Sequence, residues 1–295
     1  MKSLLKPTAG ESMFDVFNIV ILTIMSLMFL IPFLAVLSTS FISAEESMRR
    51  GAFVLIPEKI DFGAYEMLLK RGMIIYNAYK VTLFRVIVGT FLNLLFTATL
   101  AYGLSRRSLP GRNVFVLIIF LTMIFHGGLI PNYMLIDKLG LKDSLWVLII
   151  PGLISAWNLF IMRNFFLTLP EELEESAIID GATPAVILWK IIVPLSMPAI
   201  ATIGLFYAVN HWNDWFAASI YINDQSKLPI QVVMRNILLS GIIHDETQME
   251  YIKDPPPAAT LKSAVIIIST LPILIVYPFI QKYFVKGMMV GSIKG

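Results

Sequence analysis

Cysteine is absent from all 295 residues, which excludes disulfides, thiolate zinc sites and cysteine nucleophiles together. Charge is scarce too. Asp, Glu, Lys and Arg make up 15% of the chain, and the formal net charge of +3 is too small to imply nucleic acid as a partner. The three histidines, His126, His211 and His244, stand so far apart that a metal site would have to be assembled from different helices, and none is expected. No GxxxxGK[ST] phosphate loop, HExxH or GxSxG string occurs, so if ATP drives this chain another subunit binds it. The chain is read as a non-enzyme that carries no cofactor.

What it has in abundance is apolar length. Hydrophobic residues make up 57% and the mean hydropathy is +0.77, more than one soluble core could bury. The predicted fold is all-α: a polytopic membrane protein of six transmembrane helices, in a single domain over 1–295. The spans are placed at 14–41, 77–104, 114–136, 144–168, 199–221 and 262–284, each long enough for a bilayer core of about 30 Å. Phe14 to Phe41 is too long for a signal-peptide core, and Pro32 is a place for a kink. The loop Ile42 to Tyr76 reads as a small extramembrane lobe, with Phe53 to Ile56 strand-like. Lys80 and Arg85 are placed to snorkel toward the outer interface, and Arg163 to snorkel or pair with an acid. The glycines Gly127 and Gly128 allow either close helix packing or unwinding of the span. Arg106, Arg107 and Arg112 around Pro110-Gly111 make the short basic loop that marks the cytoplasmic side, which puts both termini inside a cell's cytoplasmic membrane. The polar stretch from Ile222 to Leu261, with Asp224, Lys227, Arg235, Asp245, Glu246 and Pro255-Pro256-Pro257, then faces outside.

Between spans four and five, residues 168–198 read TLPEELEESAIIDGATPAVILWKIIVPLSMP. Thr168 followed by Glu171 has capping-box form, Pro170 suits the first turn, and Glu171, Glu172, Glu174 and Glu175 sit at the positive end of the helix dipole. Gly181 falls where a left-handed closing residue belongs, and Thr183-Pro184 starts a second helix that Pro194 and Pro198 interrupt. Glu175, Ser176, Ala177, Gly181, Ile191, Val193 and Pro194 resemble, in identity and spacing, the glutamate-alanine-alanine loop of the membrane subunits of binding-protein-dependent ABC importers. Ser176 stands for an alanine and Val193 for a leucine. The resemblance implies that this loop is the coupling helix docking on a separate ATPase, with Glu171, Glu174, Glu175, Ser176, Ala177, Asp180, Gly181, Ala182, Ile191 and Pro194 as coupling residues. It also implies a second homologous permease subunit, two ATP-binding subunits that hold ATP and Mg, an extracytoplasmic solute-binding protein and a lipid surround. Gly127-Gly128-Leu129-Ile130-Pro131, Leu139-Gly140-Leu141, Trp157-Asn158, Arg163 to Phe166 and His211-Trp212-Asn213 look like the Gram-positive-type branch associated with complex and uronate-containing oligosaccharides. The tail from Phe284 to Gly295 resembles that of maltose-type permeases.

A polar run crosses the expected fifth span: Asn210, His211, Trp212, Asn213, Asp214 and Trp215. A charge at mid-bilayer costs about 2.5–3.5 kcal/mol even on lenient scales, so Asp214 must face a partner or water. Two readings follow. These residues, with Asn158, line a substrate route in which amides meet sugar hydroxyls and indoles meet pyranose faces, or they knit helices together. On a continuous helix Asn210, Asn213 and Asp214 share one face, with His211 and Trp215 on the next. The rival function is an ion- or proton-coupled transporter using Asp214 and His211.

Overall fold

The computed structural model describes residues 8–51, 54–70, 72–240 and 256–292. Every regular element among them is helical: α1 (Ala9–Thr39), α2 (Ala44–Arg50), α3 (Gly63–Lys70), α4 (Gly72–Ser105), α5 (Arg112–Ile124), α6 (Leu129–Lys138), α7 (Ala156–Phe166), α8 (Glu172–Ile179), α9 (Pro184–Ile187), α10 (Val193–Leu195), α11 (Met197–Asn213), α12 (Phe216–Tyr221), α13 (Ile230–Ser240) and α14 (Ala258–Ser292). Short 3-10 turns cover Leu145–Leu148, Ile150–Gly152 and Gln225–Lys227, and a π-helix covers Leu188–Ile192. The all-α expectation holds. Val54 to Ile56 is not a strand; Phe53, His244, Asp245, Glu246, Pro255 and Lys294 lie outside the described residues.

Three helices are long and apolar enough to cross a bilayer, within Gly10–Thr39, Ile74–Ser105 and Ala258–Val276. The other apolar segments are broken. Arg112–Ile124 and Leu129–Lys138 meet at 114°, Leu145–Gly152 and Ala156–Phe166 at 51°, and Pro184–Leu195 and Met197–Asn213 at 86°. The total reaches six only if each bent pair is one span. The segment at 114–136, expected to be interrupted at Gly127-Gly128, is two helices meeting there, and the helices expected over 144–168 and 199–221 are broken at 153–155 and 214–215. α5 has 13 residues, about 20 Å at ~1.5 Å per residue, too short to cross alone. Of the two readings of Gly127 and Gly128 the chain takes unwinding: Gly128 sits at φ +84°, and within the chain the atom nearest a Cβ on Gly127 is 3.9 Å away. They form the turn, because a positive φ is cheap only without a side chain.

By its internal contacts the chain divides into two compact units, residues 1–71 with 236–271, and residues 72–235 with 272–295. In the first, Thr8 and Glu11 make a reciprocal capping box for α1, a start signal the apolar pattern does not reveal. The lobe after α1 is ordered by Glu46, buried at 4% exposure, which accepts from the Glu58 backbone N–H at 3.0 Å and from Arg50 at 2.8 Å. Phe41 stacks on Tyr65 at 5.0 Å, and the Tyr65 hydroxyl meets Ser40 Oγ at 2.7 Å.

The second unit is built on α4. Ala98, Ala101 and Leu104 pack with Leu159 and Met162 of α7 and Ile203 of α11, and the small residues let backbones approach, as helix pairs in lipid require. Toward the other end a second cluster joins Ile136, Val147, Leu148, Ala218, Tyr221 and Val232. It is clasped by Asp143, at φ +56°, whose Oδ1 accepts from the N–H groups of Asn223 at 2.6 Å and Asp224 at 3.0 Å. Lys227 Nζ donates to the Asp143 carbonyl at 2.9 Å.

Candidate functional site

Along α4, Arg85, Gly89, Asn93 and Thr97 recur every four residues and so occupy one face. Each meets a group on α11 or on the interrupted segment before α7. Arg85, buried at 3% exposure, forms an ion pair with Asp214 and donates to the Asp214 carbonyl at 2.7 Å and the Leu148 carbonyl at 3.3 Å. The snorkelling expected of Arg85 is thus corrected; it turns inward. Asn93 Nδ2 donates to the carbonyls of Gly152 at 2.9 Å and Leu153 at 2.7 Å. That orientation leaves Asn93 Oδ1 as the acceptor facing His211 Nε2 at 2.7 Å, so Nε2 carries the imidazole proton. His211 lies directly on Gly89: a Cβ there would be 2.5 Å from Nε2. Thr97 and Tyr207 share a hydrogen bond of 2.8 Å, and the Tyr207 hydroxyl accepts from Ser155 N–H at 3.0 Å. Unwound backbone is tolerated inside a membrane protein where its polar groups find partners. Here Arg85, Asn93 and Tyr207 supply them.

Asp214 is not on a helix face. It follows the last residue of α11 with φ −75° and ψ 110°, and its Oδ1 accepts from the N–H groups of Phe216 at 3.0 Å and Ala217 at 3.3 Å. The carboxylate therefore caps the start of α12 while Arg85 holds its other oxygen. Such a break changes where the polar run points. A cavity of about 710 Å³ opens beside the ladder, and its wall includes Arg85, Trp157, Asn158, Tyr207, Asn210, His211 and Asp214. Asn213 lies on an adjoining groove with Asn210 and Asp214. Trp212 is buried at 8% exposure and Trp215 carries Arg235 4.3 Å above its ring; neither lines these two cavities. Of the seven residues expected on a route, the chain brings Asn158, Asn210, His211 and Asp214 to one cavity. Arg85, Asn93, Trp157 and Tyr207 were missed, although the Arg-x3-Gly-x3-Asn-x3-Thr spacing was there to be read.

In the acidic loop, Gly181 has φ +78° and closes α8 with a Schellman motif: Ala182 N–H donates to the Ala177 carbonyl at 2.9 Å and Gly181 N–H to Ile178 at 2.9 Å. Thr183 caps the next helix, its Oγ1 facing Val186 N–H at 3.5 Å. The Thr168 capping box is not formed; Thr168 Oγ1 turns back to the Phe165 carbonyl at 2.7 Å, and Glu171 stands at the N-cap without a side-chain bond. Pro194 does not end its helix. The π-turns of Leu188–Ile192 precede it, and the sharp bend comes at Ser196, since a π-bulge absorbs the backbone bond that proline cannot make. Ile191 packs against the core cluster.

α8 is two-faced. Glu174 and Ala177 are buried, while Glu175, Ser176 and Asp180 are exposed. Ile178 at 61% and Ile179 at 85% exposure present bare apolar side chains that were not among the expected coupling residues. Glu171 reaches Arg107 at 3.4 Å, and Glu174 pairs with Arg106. Arg163 pairs with no acid among the described residues: its Nε donates to the Leu104 carbonyl at 3.0 Å, as does Arg112 Nε at 3.0 Å, two cations at the negative end of α4.

The chain is 44% identical over 285 residues to the polygalacturonan/rhamnogalacturonan transport system permease protein YtcP of Bacillus subtilis, covering 96% of this chain and 99% of that protein. It is 43% identical over 291 residues to protein LplC of the same organism, covering 98% and 97%. A crystal structure of a bacterial ABC transporter involved in import of the acidic polysaccharide alginate contains a chain that superposes with a TM-score of 0.87 at 34% identity, over 95% of this chain and 99% of that one. The family model described as the binding-protein-dependent transport system inner membrane component matches residues 8–290, and this chain belongs to that family.

Proposed function

We propose that the chain is the permease subunit of an ATP-driven ABC importer that carries an oligosaccharide, of the acidic, uronate-containing kind, across a bacterial cytoplasmic membrane. The observation that carries this is the 710 Å³ cavity set beside the break between α11 and α12, walled by amides, an imidazole, a tyrosine and the exposed indole of Trp157. Amides and hydroxyls exchange hydrogen bonds with sugar hydroxyls, and an indole face suits the apolar side of a pyranose. The relatives named for polygalacturonan and alginate support the acidic class. Arg85 is the cation on the wall and is already paired with Asp214, so the cavity is close to neutral and hydroxyl recognition leads over charge.

In this reading the chain works with a second related permease subunit, two ATPase subunits that hold ATP and Mg, and an extracytoplasmic solute-binding protein. Glu175, Ser176, Asp180, Ile178 and Ile179 form the docking face of the coupling helix, and Gly181, Ala182 and Pro194 shape it. ATP-driven closure of the ATPases moves α8, and a rigid-body rotation opens the cavity to alternate sides. Both termini and the Arg106 loop lie in the cytoplasm, and the Asp143 clasp faces outside. The test is reconstitution in liposomes with the partner subunits and binding protein. Uptake of a galacturonate oligosaccharide should require both ATP and binding protein; uptake driven by a proton gradient without ATP overturns the proposal.

A further inference from the structure

The arginine immediately after α4 is joined to the middle of α8, and nothing in the proposed docking face uses that joint. Arg106 approaches Glu174 with both terminal nitrogens, one to each carboxylate oxygen, the two-pronged arrangement that fixes orientation as well as distance. Its guanidinium also lies over the Tyr102 ring, 4.2 Å from the centroid, and Arg106 N–H bonds the Gly103 carbonyl at 3.2 Å, so it is anchored to the end of α4 at backbone and side chain. Glu171, Glu172 and Glu175 are exposed, whereas Glu174 is 8% exposed. It shares the inner face of α8 with Ala177, which packs in the cluster holding Tyr102, Leu104 and Phe166. At the same place Arg112 and Arg163 bind the Leu104 carbonyl, tying the start of α5 and the end of α7 to α4. From there α4 runs about 30 Å, at ~1.5 Å per residue, to Arg85 on the cavity wall.

We propose that the Arg106–Glu174 pair is the mechanical joint by which α8 moves α4, so that Glu174 acts inward as a positioning residue and not as a contact to the ATPase. This rests on the coupling reading above. A shift of α8 delivered through the fork displaces the end of the helix whose middle carries Arg85, Gly89, Asn93 and Thr97 beside the cavity. Without the fork, α8 still presents Glu175, Ile178 and Ile179 outward, but slides against α4.

The experiment uses the full complex with its ATPase subunits and binding protein in liposomes. It compares Arg106→Lys, Glu174→Gln and the exchanged pair Arg106→Glu with Glu174→Arg against the parent, reading co-purification of the ATPases and galacturonate oligosaccharide imported per ATP hydrolysed. Both single variants should keep the ATPases bound while import per ATP falls about fivefold or more, the lower range for coupling between sites, and the exchanged pair should recover it. Unchanged import per ATP in both single variants overturns the proposal, as does loss of the ATPases from Glu174→Gln that the exchange does not repair. Ile179→Glu separates this from the underlying reading: if that complex still binds its ATPases, the docking face itself is wrong, whatever the fork does.

Discussion

Asp214 does two jobs that a single substitution can separate. One carboxylate oxygen compensates the buried guanidinium of Arg85, and the other accepts two backbone N–H groups at the start of α12. Asp214→Ala removes both, and leaving a buried cation unpaired typically costs about 3–5 kcal/mol. Asp214→Asn keeps an acceptor for Phe216 and Ala217 and loses only the charge. Both variants leave the Arg85 guanidinium without its counter-charge, so we expect both to lower the thermal stability of the purified complex, the alanine variant further by the lost bonds to Phe216 and Ala217, and the asparagine variant to alter uptake. Equal stability of Asp214→Ala and the parent would show that the pair holds nothing together. Asp143 makes a second, solvent-facing case. The N–H groups of Asp224 and Asn223 hold its carboxyl below the ordinary 3.8. A depressed folded-state pKa contributes stability above the unfolded value that is lost as pH falls through the folded one. The clasp on residues 222–228 should therefore be constant from pH 5 to 8 and loosen only below pH 3.8, read as faster amide exchange in that segment. Asp143→Asn should keep the clasp, since asparagine also tolerates positive φ, and Asp143→Ala should open it at every pH.

At the scale of elements, the contact of α4 with α11 is set by two glycines of unequal tolerance. A Cβ on Gly89 would meet three ring atoms of His211 between 2.5 and 3.0 Å, and that ring is pinned by Asn93. A Cβ on Gly204 would meet only the end of Leu94, at 3.1 Å, which can turn aside. Gly89→Ala should therefore destabilise by the ~1–3 kcal/mol of an overpacked core, and Gly204→Ala by clearly less. Matching thermal shifts for the two would argue against this contact geometry. Gly204 is not legible as special from sequence, because glycine in an apolar helix reads the same whether it faces a neighbouring helix or lipid, whereas Gly89 is marked by sharing a four-residue spacing with Arg85, Asn93 and Thr97. Gly181 is the contrary case: its place one residue past the end of a capped, acidic segment announced a left-handed turn, and the backbone adopts it.

Across the whole molecule, the cysteine-free sequence makes sidedness directly measurable. Ser108, Ser176 and Ser226 are exposed. Cysteines introduced at Ser108 and Ser176 should react with an impermeant maleimide only from the cytoplasm, and one introduced at Ser226 only from outside. Reaction at Ser226 from the cytoplasm would reverse the proposed topology. The measurement matters because a chain with three long apolar helices and three bent pairs admits more than one path through a bilayer, and the basic loop at Arg106, Arg107 and Arg112 bears on only one end of it.

Sequence alone determined what local chemistry and composition control. Apolar excess imposes a membrane, and apolar runs of about 20 residues without the alternation of a barrel strand impose helices, since lipid leaves the backbone no partner but itself. The Gly181 closure and the Thr183-Pro184 start are written in residues a few positions apart, and so is the family resemblance of the loop. Tertiary structure decided what depends on pairs distant along the chain. Arg85 meets Asp214 across 129 positions, Asn93 meets Gly152 across 59, and Arg106 meets Glu174 across 68. Without those partners Arg85 looks like a snorkelling cation, span four like an ordinary helix, and Glu174 like its exposed neighbours. The breaks in the membrane segments follow from the same cause: an unwound turn becomes affordable only when side chains from another helix satisfy its carbonyls, and no local pattern records where those side chains come from.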